Sequence, residues 1–216
     1  MRGHVYVVDD DLSVGQSIKR LLSFYDYHVQ FYSSSEEFFD KASFNIPAVL
    51  LLDMRMPEKS GIDVQKRLLD AGIGMPIIFI SGESLPQEIV SGMKNGAVDF
   101  LFKPFEAEDL VNAVDHGLQQ QEEKAKHDAS ANDAKQKYAS LTNRQKQVCD
   151  YLVQGLDNKS IAANLGVTYD AIKLHKRIVL EKMQADSVVM LTRMLLSWIA
   201  FFFSLSVSFS LLKTYS

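Results

Sequence analysis

Asp9, Asp10 and Asp11 follow the apolar run Val5–Val8, and Asp53 closes the run Ala48–Leu52. Ser81 and Gly82 follow Ile77–Ile80, and Lys103 and Pro104 follow Asp99–Phe102. Short apolar runs between turn-forming and charged residues read as buried strands. In an open parallel sheet, functional residues gather beyond the carboxyl ends of the strands. Three carboxylates, a hydroxyl and an ammonium would meet there. Two carboxylates about 4 Å apart repel by roughly 4 kcal/mol at an effective dielectric of about 20, so such a set invites a divalent cation. Oxygen ligands without His or Cys favour Mg²⁺, Mn²⁺ or Ca²⁺ over zinc. A carboxylate beside such a cation and a lysine is suited to attack phosphorus while the cations neutralise the phosphoryl oxygens. Any single aspartate here reads more simply as a helix cap. The weight lies on the full set.

The elements that must position this set alternate along the chain. Apolar residues at helical spacing (Val14, Ile18, Leu21, Leu22) predict a helix over Ser13–Phe24. Ser13 and Gln16 have capping-box spacing and predict its start. A strand at His28–Phe31 and a helix at about Ser34–Ser43 follow. Further helices are predicted near Ile62–Leu69 and Gln87–Lys94, and a last one starts near Ala107. Five strand-then-helix units over residues 1–118 predict an α/β domain, a five-stranded doubly wound parallel sheet with right-handed crossovers.

Composition bounds the rest. The chain has 216 residues, 47% hydrophobic and 23% charged, which excludes global disorder and suits one or two domains. Its one cysteine, Cys149, makes neither an internal disulfide nor a zinc site, which points to a reducing compartment. Cys149 itself reads as a small core residue, because no resolving thiol exists. The five histidines are scattered, and no metal site is read from them. The apolar run after Met1–His4 is too short for a secretory signal. The net charge of −4 is unevenly spread. Residues 1–118 hold 10 basic and 18 acidic side chains, whereas 141–216 hold 9 and 5. The basic part is the candidate for nucleic acid. Between them, 119–140 has four of each sign and few large apolar residues, and reads as a charged linker, either helical extension or flexible tether.

Residues 3–118 resemble the receiver domain of two-component signalling, the flavodoxin-like fold of the chemotaxis protein CheY. The resemblance is close to the FixJ branch and rests on Val5–Asp11, Asp53-Met54-Arg55-Met56-Pro57, Gly96–Phe100 and Lys103-Pro104-Phe105. It implies that Asp53 is the phosphoacceptor. It implies Mg²⁺ on Asp10, Asp53 and the Arg55 backbone carbonyl, with Asp9 acting through water. Ser81 would read the phosphoryl group, Lys103 would pair with it, and Phe100 would be the aromatic switch. Lys103–Pro104 would be cis, and Asp11 a surface or capping residue. Glu83 and Ser84 depart from the His-Gly pair usual in that branch, and an added acid there bears on phosphate lifetime. Other phosphate chemistry fits poorly. A haloacid-dehalogenase-type phosphatase wants an Asp where Arg55 stands, and Gly72-Ile73-Gly74 precedes a strand, the wrong context for a dinucleotide loop.

Residues 141–197 predict a smaller all-α domain. Thr142 reads as an N-cap, with Gly155 ending the first helix. A second helix runs over about Asn158–Leu165 and a third over about Tyr169–Met183. Helix, Gly-containing turn and helix form a helix-turn-helix pattern whose second helix enters the major groove. The segment resembles the LuxR-type DNA-binding domain, through Leu141-Thr142-Asn143-Arg144, Asn158-Lys159, Ile161-Ala162, Leu165-Gly166-Val167, Ile172–His175 and Lys182-Met183. Lys159, Thr168, Lys173, His175, Lys176 and Arg177 are the candidate DNA contacts. Gln145 replaces a usual Glu and removes an internal ion pair, and Ala171 replaces a usual Thr.

Residues 194–212 carry no charge, approaching the length of a membrane span, yet Phe203–Leu211 alternates with Ser at a strand period. The tail from 198 to 216 reads as a loose extension, a dimer or partner surface, or a membrane anchor. Together these features predict a cytoplasmic response regulator, not an enzyme on an external substrate. Its expected partners are a histidine kinase, double-stranded DNA, a second copy when phosphorylated, and RNA polymerase. Two rivals are a phosphorylation-independent DNA-binding regulator, with the receiver as an interaction module, and a membrane-tethered regulator.

Overall fold

The structure is a computed structural model that describes residues 2–199. It divides into two compact units, 1–124 and 125–216. In the first, strands β1 (His4–Val8), β2 (His28–Tyr32), β3 (Ala48–Asp53), β4 (Ile77–Ser81) and β5 (Asp99–Phe102) alternate with helices α1 (Leu12–Phe24), α2 (Ser35–Lys41), α3 (Gly61–Asp70) and α4 (Pro86–Lys94). Helix α5 (Ala107–Ala139) follows. The sheet order is β2-β1-β3-β4-β5, and every pairing is parallel.

Successive strand residues point to opposite faces, so an apolar strand feeds two cores. Val5, Val7, Val49, Leu51, Ile78 and Ile80 pack with Ile18 and Leu22 of α1 and Leu110 and Val114 of α5. Tyr6, Val8, Leu50, Leu52 and Phe79 pack with Phe38 of α2 and Val64 and Leu68 of α3. The register pairs Val8 with Leu52, Asp53 with Ile80 and Ser81 with Phe102. It brings the polar residues after each strand to one edge.

One capping expectation is corrected. Helix α1 starts at Leu12, and its N-cap is Asp11, whose carboxylate accepts from the Ser13 and Val14 amides. Ser13 lies within the first turn, and its hydroxyl donates to Asp11. A carboxylate at an N-cap also gains from the helix dipole, so the acid takes the position.

Of residues 119–140, read as a charged linker, 119–139 lie in α5, with Ala131 and Ala134 buried. In the second unit α6 (Asn143–Val153), α7 (Asn158–Leu165) and α8 (Tyr169–Met183) are followed by α9, helical over 188–199. Val148, Cys149, Leu152, Ile161, Ile172, Val179, Met183, Leu191 and Leu195 form its core. Thr142 caps α6. Gly166 ends α7 in the left-handed region at φ 63°, which glycine adopts without a Cβ penalty. Among the described residues no helix is long and apolar enough to cross a membrane. Residues 194–199 of the uncharged run belong to α9, and the rest of the proposed tail lies outside the described residues.

Candidate functional site

At the carboxyl edge of the sheet, the Lys103 ammonium donates to Asp9 Oδ2 and to Asp53 Oδ1, both at 2.7 Å. The remaining carboxylate oxygens are also held. Asp9 Oδ1 accepts the Asp11 amide at 2.9 Å, and Asp53 Oδ2 accepts the Arg55 amide at 2.8 Å. Asp9 is 2% and Asp53 6% exposed, whereas the neighbouring Asp10 is open to solvent. Burial pushes the Asp53 carboxyl above its ordinary value, against the Lys103 hydrogen bond that pulls it down. Burial opposes the charge on Lys103 too, but its bonds to Asp53 and Asp9 outweigh that, and its pKa is raised.

Two buried carboxylates thus share one ammonium, and one negative charge is left uncompensated. Among the described residues no group of three or more His, Cys, Asp or Glu is placed to hold a metal ion by itself. Carboxylate oxygens with excess negative charge fit a hard cation that keeps part of its water, as Mg²⁺ does.

Ser81 ends β4 and is 2% exposed. Its hydroxyl donates to the Glu83 carbonyl at 3.0 Å and accepts from the Ser84 hydroxyl at 2.8 Å. Phe100 of β5 is half-buried, with its ring 4.9 Å from that of Phe102 and 6.4 Å from that of Phe79. The Lys103–Pro104 peptide is cis, as is Ile46–Pro47. Asp9, Asp53 and Lys103 are therefore in direct contact. Ser81 ends the strand that pairs with β3 at Asp53, and Asp11 caps α1.

Two residues of this site, Gly61 and Glu88, escaped the sequence reading, and a third, Ser84, was placed beside the site without its bond to Ser81. Gly61 opens α3 against the strand end, and a Cβ there would lie 2.7 Å from the Asp53 carbonyl oxygen. Ser84 binds Ser81. Glu88 of α4 accepts from the Leu85 amide at 2.8 Å and pairs with Arg55 at 3.3 Å. The spacing of Ser60 and Asp63, where a capping box forms, is the local signal that could have placed the start of α3 at Gly61.

In the second unit, α7, the turn 166–168 and α8 make the helix-turn-helix. Thr168 caps α8 through the Ala171 amide at 3.2 Å, so the Ala171 replacement leaves the cap in place. Ile172 and Val179 of α8 are buried, while Lys173 and Arg177, four residues apart, are exposed on one strip. Lys176 and Lys159 line one open cavity of about 480 Å³ with Asp157, Asn158 and Tyr169. His175 is half-buried, and its Nδ1 finds no hydrogen-bond partner among the described residues. Gln145 is buried, caps the Thr142 amide and accepts from Lys182 at 3.2 Å. The missing ion pair is replaced by a charge-assisted hydrogen bond.

Residues 5–115 match the response regulator receiver domain family, and 139–195 match the LuxR family of bacterial regulatory proteins. The chain belongs to the response regulators. The response regulator protein TmoT of Ectopseudomonas mendocina is 35% identical over 88% of this chain and 86% of its own length. The transcriptional regulatory protein FixJ of Bradyrhizobium diazoefficiens is 35% identical over 89% and 94%. Among solved structures, the response regulator StyR superposes with a TM-score of 0.73 at 34% identity, covering 89% of this chain and 97% of StyR. Full-length FixJ from B. japonicum gives 0.57 at 35% identity, over 91% and 97%. This response regulator thus joins a receiver to a LuxR-type DNA-binding domain.

Proposed function

We propose that Asp53 is the phosphoacceptor and that its phosphorylation controls DNA binding by the second unit. The observation that carries this reading is the Lys103 ammonium bridging Asp9 and Asp53 at the strand ends, with one carboxylate charge unshared. An Asp53 oxygen attacks the phosphorus of a kinase phosphohistidine. The P–O bond forms, the P–N bond breaks, and the imidazole leaves. Mg²⁺, held by Asp10, Asp53 and the Arg55 carbonyl with Asp9 through water, would supply charge neutralisation at the phosphoryl oxygens. Lys103 pairs with the new phosphoryl group, and Ser81 donates its hydroxyl proton to it. Movement of Ser81 frees space for Phe100 to turn inward, which shifts the population of receiver conformations.

The shifted receiver favours a homodimer, and paired second units then meet paired half-sites in DNA. Lys159, Thr168, Lys173, His175, Lys176 and Arg177 form the DNA face. The basic side chains neutralise phosphates, and those nearest the start of α8 reach base edges. RNA polymerase is the further contact through which transcription changes. All of this takes place in the cytoplasm, where kinase and DNA are both within reach.

The test selects duplexes from a random-sequence pool with full-length protein, with and without a small acyl phosphate donor and Mg²⁺. Paired half-sites should be enriched only after phosphorylation. Equal enrichment by wild type and Asp53→Asn would contradict control by phosphorylation and favour a receiver that acts as a docking module.

A further inference from the structure

The segment from Ser81 to Glu88 is fastened to the phosphorylation pocket at two points. At its start, Ser84 donates to the Ser81 hydroxyl at 2.8 Å, and Ser81 donates to the Glu83 carbonyl at 3.0 Å. A serine hydroxyl has one proton to give. Ser81 cannot bond Glu83 and a phosphoryl oxygen at once. Donation by Ser84 into the Ser81 oxygen polarises that hydroxyl and strengthens its own donation to Glu83. Ser81 is almost fully buried, so water competes little for its proton.

At the far end, one Glu88 oxygen accepts from the Leu85 amide at 2.8 Å and from the Arg55 guanidinium at 3.3 Å. Arg55 stands two residues after Asp53, and its amide already binds the Asp53 carboxylate. A phosphoryl group on Asp53 adds charge of about −2 beside that cation and competes with Glu88 for it. Loss of Arg55 loosens the carboxylate that caps α4.

We infer that Ser84 and Glu88 are positioning residues, a two-point clip that holds Ser81 and the start of α4 in the unphosphorylated arrangement and sets how readily Asp53 accepts a phosphoryl group. The inference rests on the reading of Asp53 and Ser81 above.

The experiment compares wild type, Ser84→Ala, Ser84→Thr and Glu88→Gln as full-length proteins. Phosphoryl uptake from a small acyl phosphate with Mg²⁺ is followed by intact mass, and amide hydrogen exchange of residues 82–94 is read without donor. Glu88→Gln keeps an oxygen for the Leu85 amide and removes only the charge that holds Arg55. Ser84→Ala should take up phosphoryl groups roughly two- to tenfold faster, the weight of one hydrogen bond. Glu88→Gln should be up to about fivefold faster, the upper weight of an exposed ion pair. Both should exchange faster over 82–94, and Ser84→Thr should match wild type. Wild-type rates and exchange in both Ser84→Ala and Glu88→Gln would overturn the clip. Ser84→Thr behaving like Ser84→Ala would overturn it too, because the hydroxyl would not be the cause. If wild type gains no phosphoryl group, the phosphoacceptor reading falls instead, and the exchange comparison alone decides the clip.

Discussion

Lys103 owes its place to charge counting at a single atom. Two nearly buried carboxylates within reach of each other need a cation between them, and its ammonium bonds both at 2.7 Å. Asp9, Asp53, Ser81 and Lys103 were legible in the sequence because each ends or follows an apolar strand, and parallel pairing sends all strand ends to one edge. The bonds made by Ser84 and Glu88 were not. Ser84 bonds Ser81 three residues back, but a hydroxyl pair carries no spacing signature, and Glu88 meets Arg55 of a distant loop only through the packed fold. Cys149 shows the opposite case, a residue whose inertness was legible. It is fully buried in the second unit's core, and burial pushes its thiol up to about 12. The thiolate is the reactive form, and a raised pKa keeps it scarce at neutral pH. Iodoacetamide at pH 7.5 should leave the folded chain unmodified over an hour, while the denatured chain takes one adduct, both read by intact mass. Equal labelling of the two would place Cys149 outside the core.

Helix α3 meets the end of β3 without a side chain in between. The Gly61 amide donates to the Met54 carbonyl at 2.9 Å, and a Cβ would lie 2.7 Å from the Asp53 carbonyl and 3.1 Å from Met54 Cα. Both are backbone atoms that cannot step aside. Gly61→Ala should push α3 from the strand, cost about 1–3 kcal/mol of stability as overpacking does, and slow phosphoryl uptake. Urea melts with a parallel uptake assay check both. A variant as stable and as fast as wild type would show that the strand end tolerates the shift. Most elements were legible at this scale. The predicted helices over Asn158–Leu165 and Tyr169–Met183 coincide with α7 and α8. Asp11 displaced Ser13 as the cap of α1 because capping turns on which oxygen reaches the free amides, and spacing does not determine that. The helical form of 119–139 was left open in the sequence, since its stretch of polar residues suits a solvated helix and a tether alike.

Over the whole chain, chemistry and charge are divided. Residues 1–118 carry 10 basic and 18 acidic side chains, and 141–216 carry 9 and 5. Affinity for a polyanion therefore belongs to the second unit, and the acidic receiver disfavours DNA by itself. On the proposed reading a signal enters at Asp53 and leaves at α8 only if the receiver's chemical state changes. The direct measurement of that state is intact mass after incubation with a small acyl phosphate, with and without Mg²⁺, on wild type and Asp53→Asn. One added phosphoryl group on wild type alone, and only with Mg²⁺, is the predicted result. No addition to folded wild type, or equal addition to Asp53→Asn, would contradict the account.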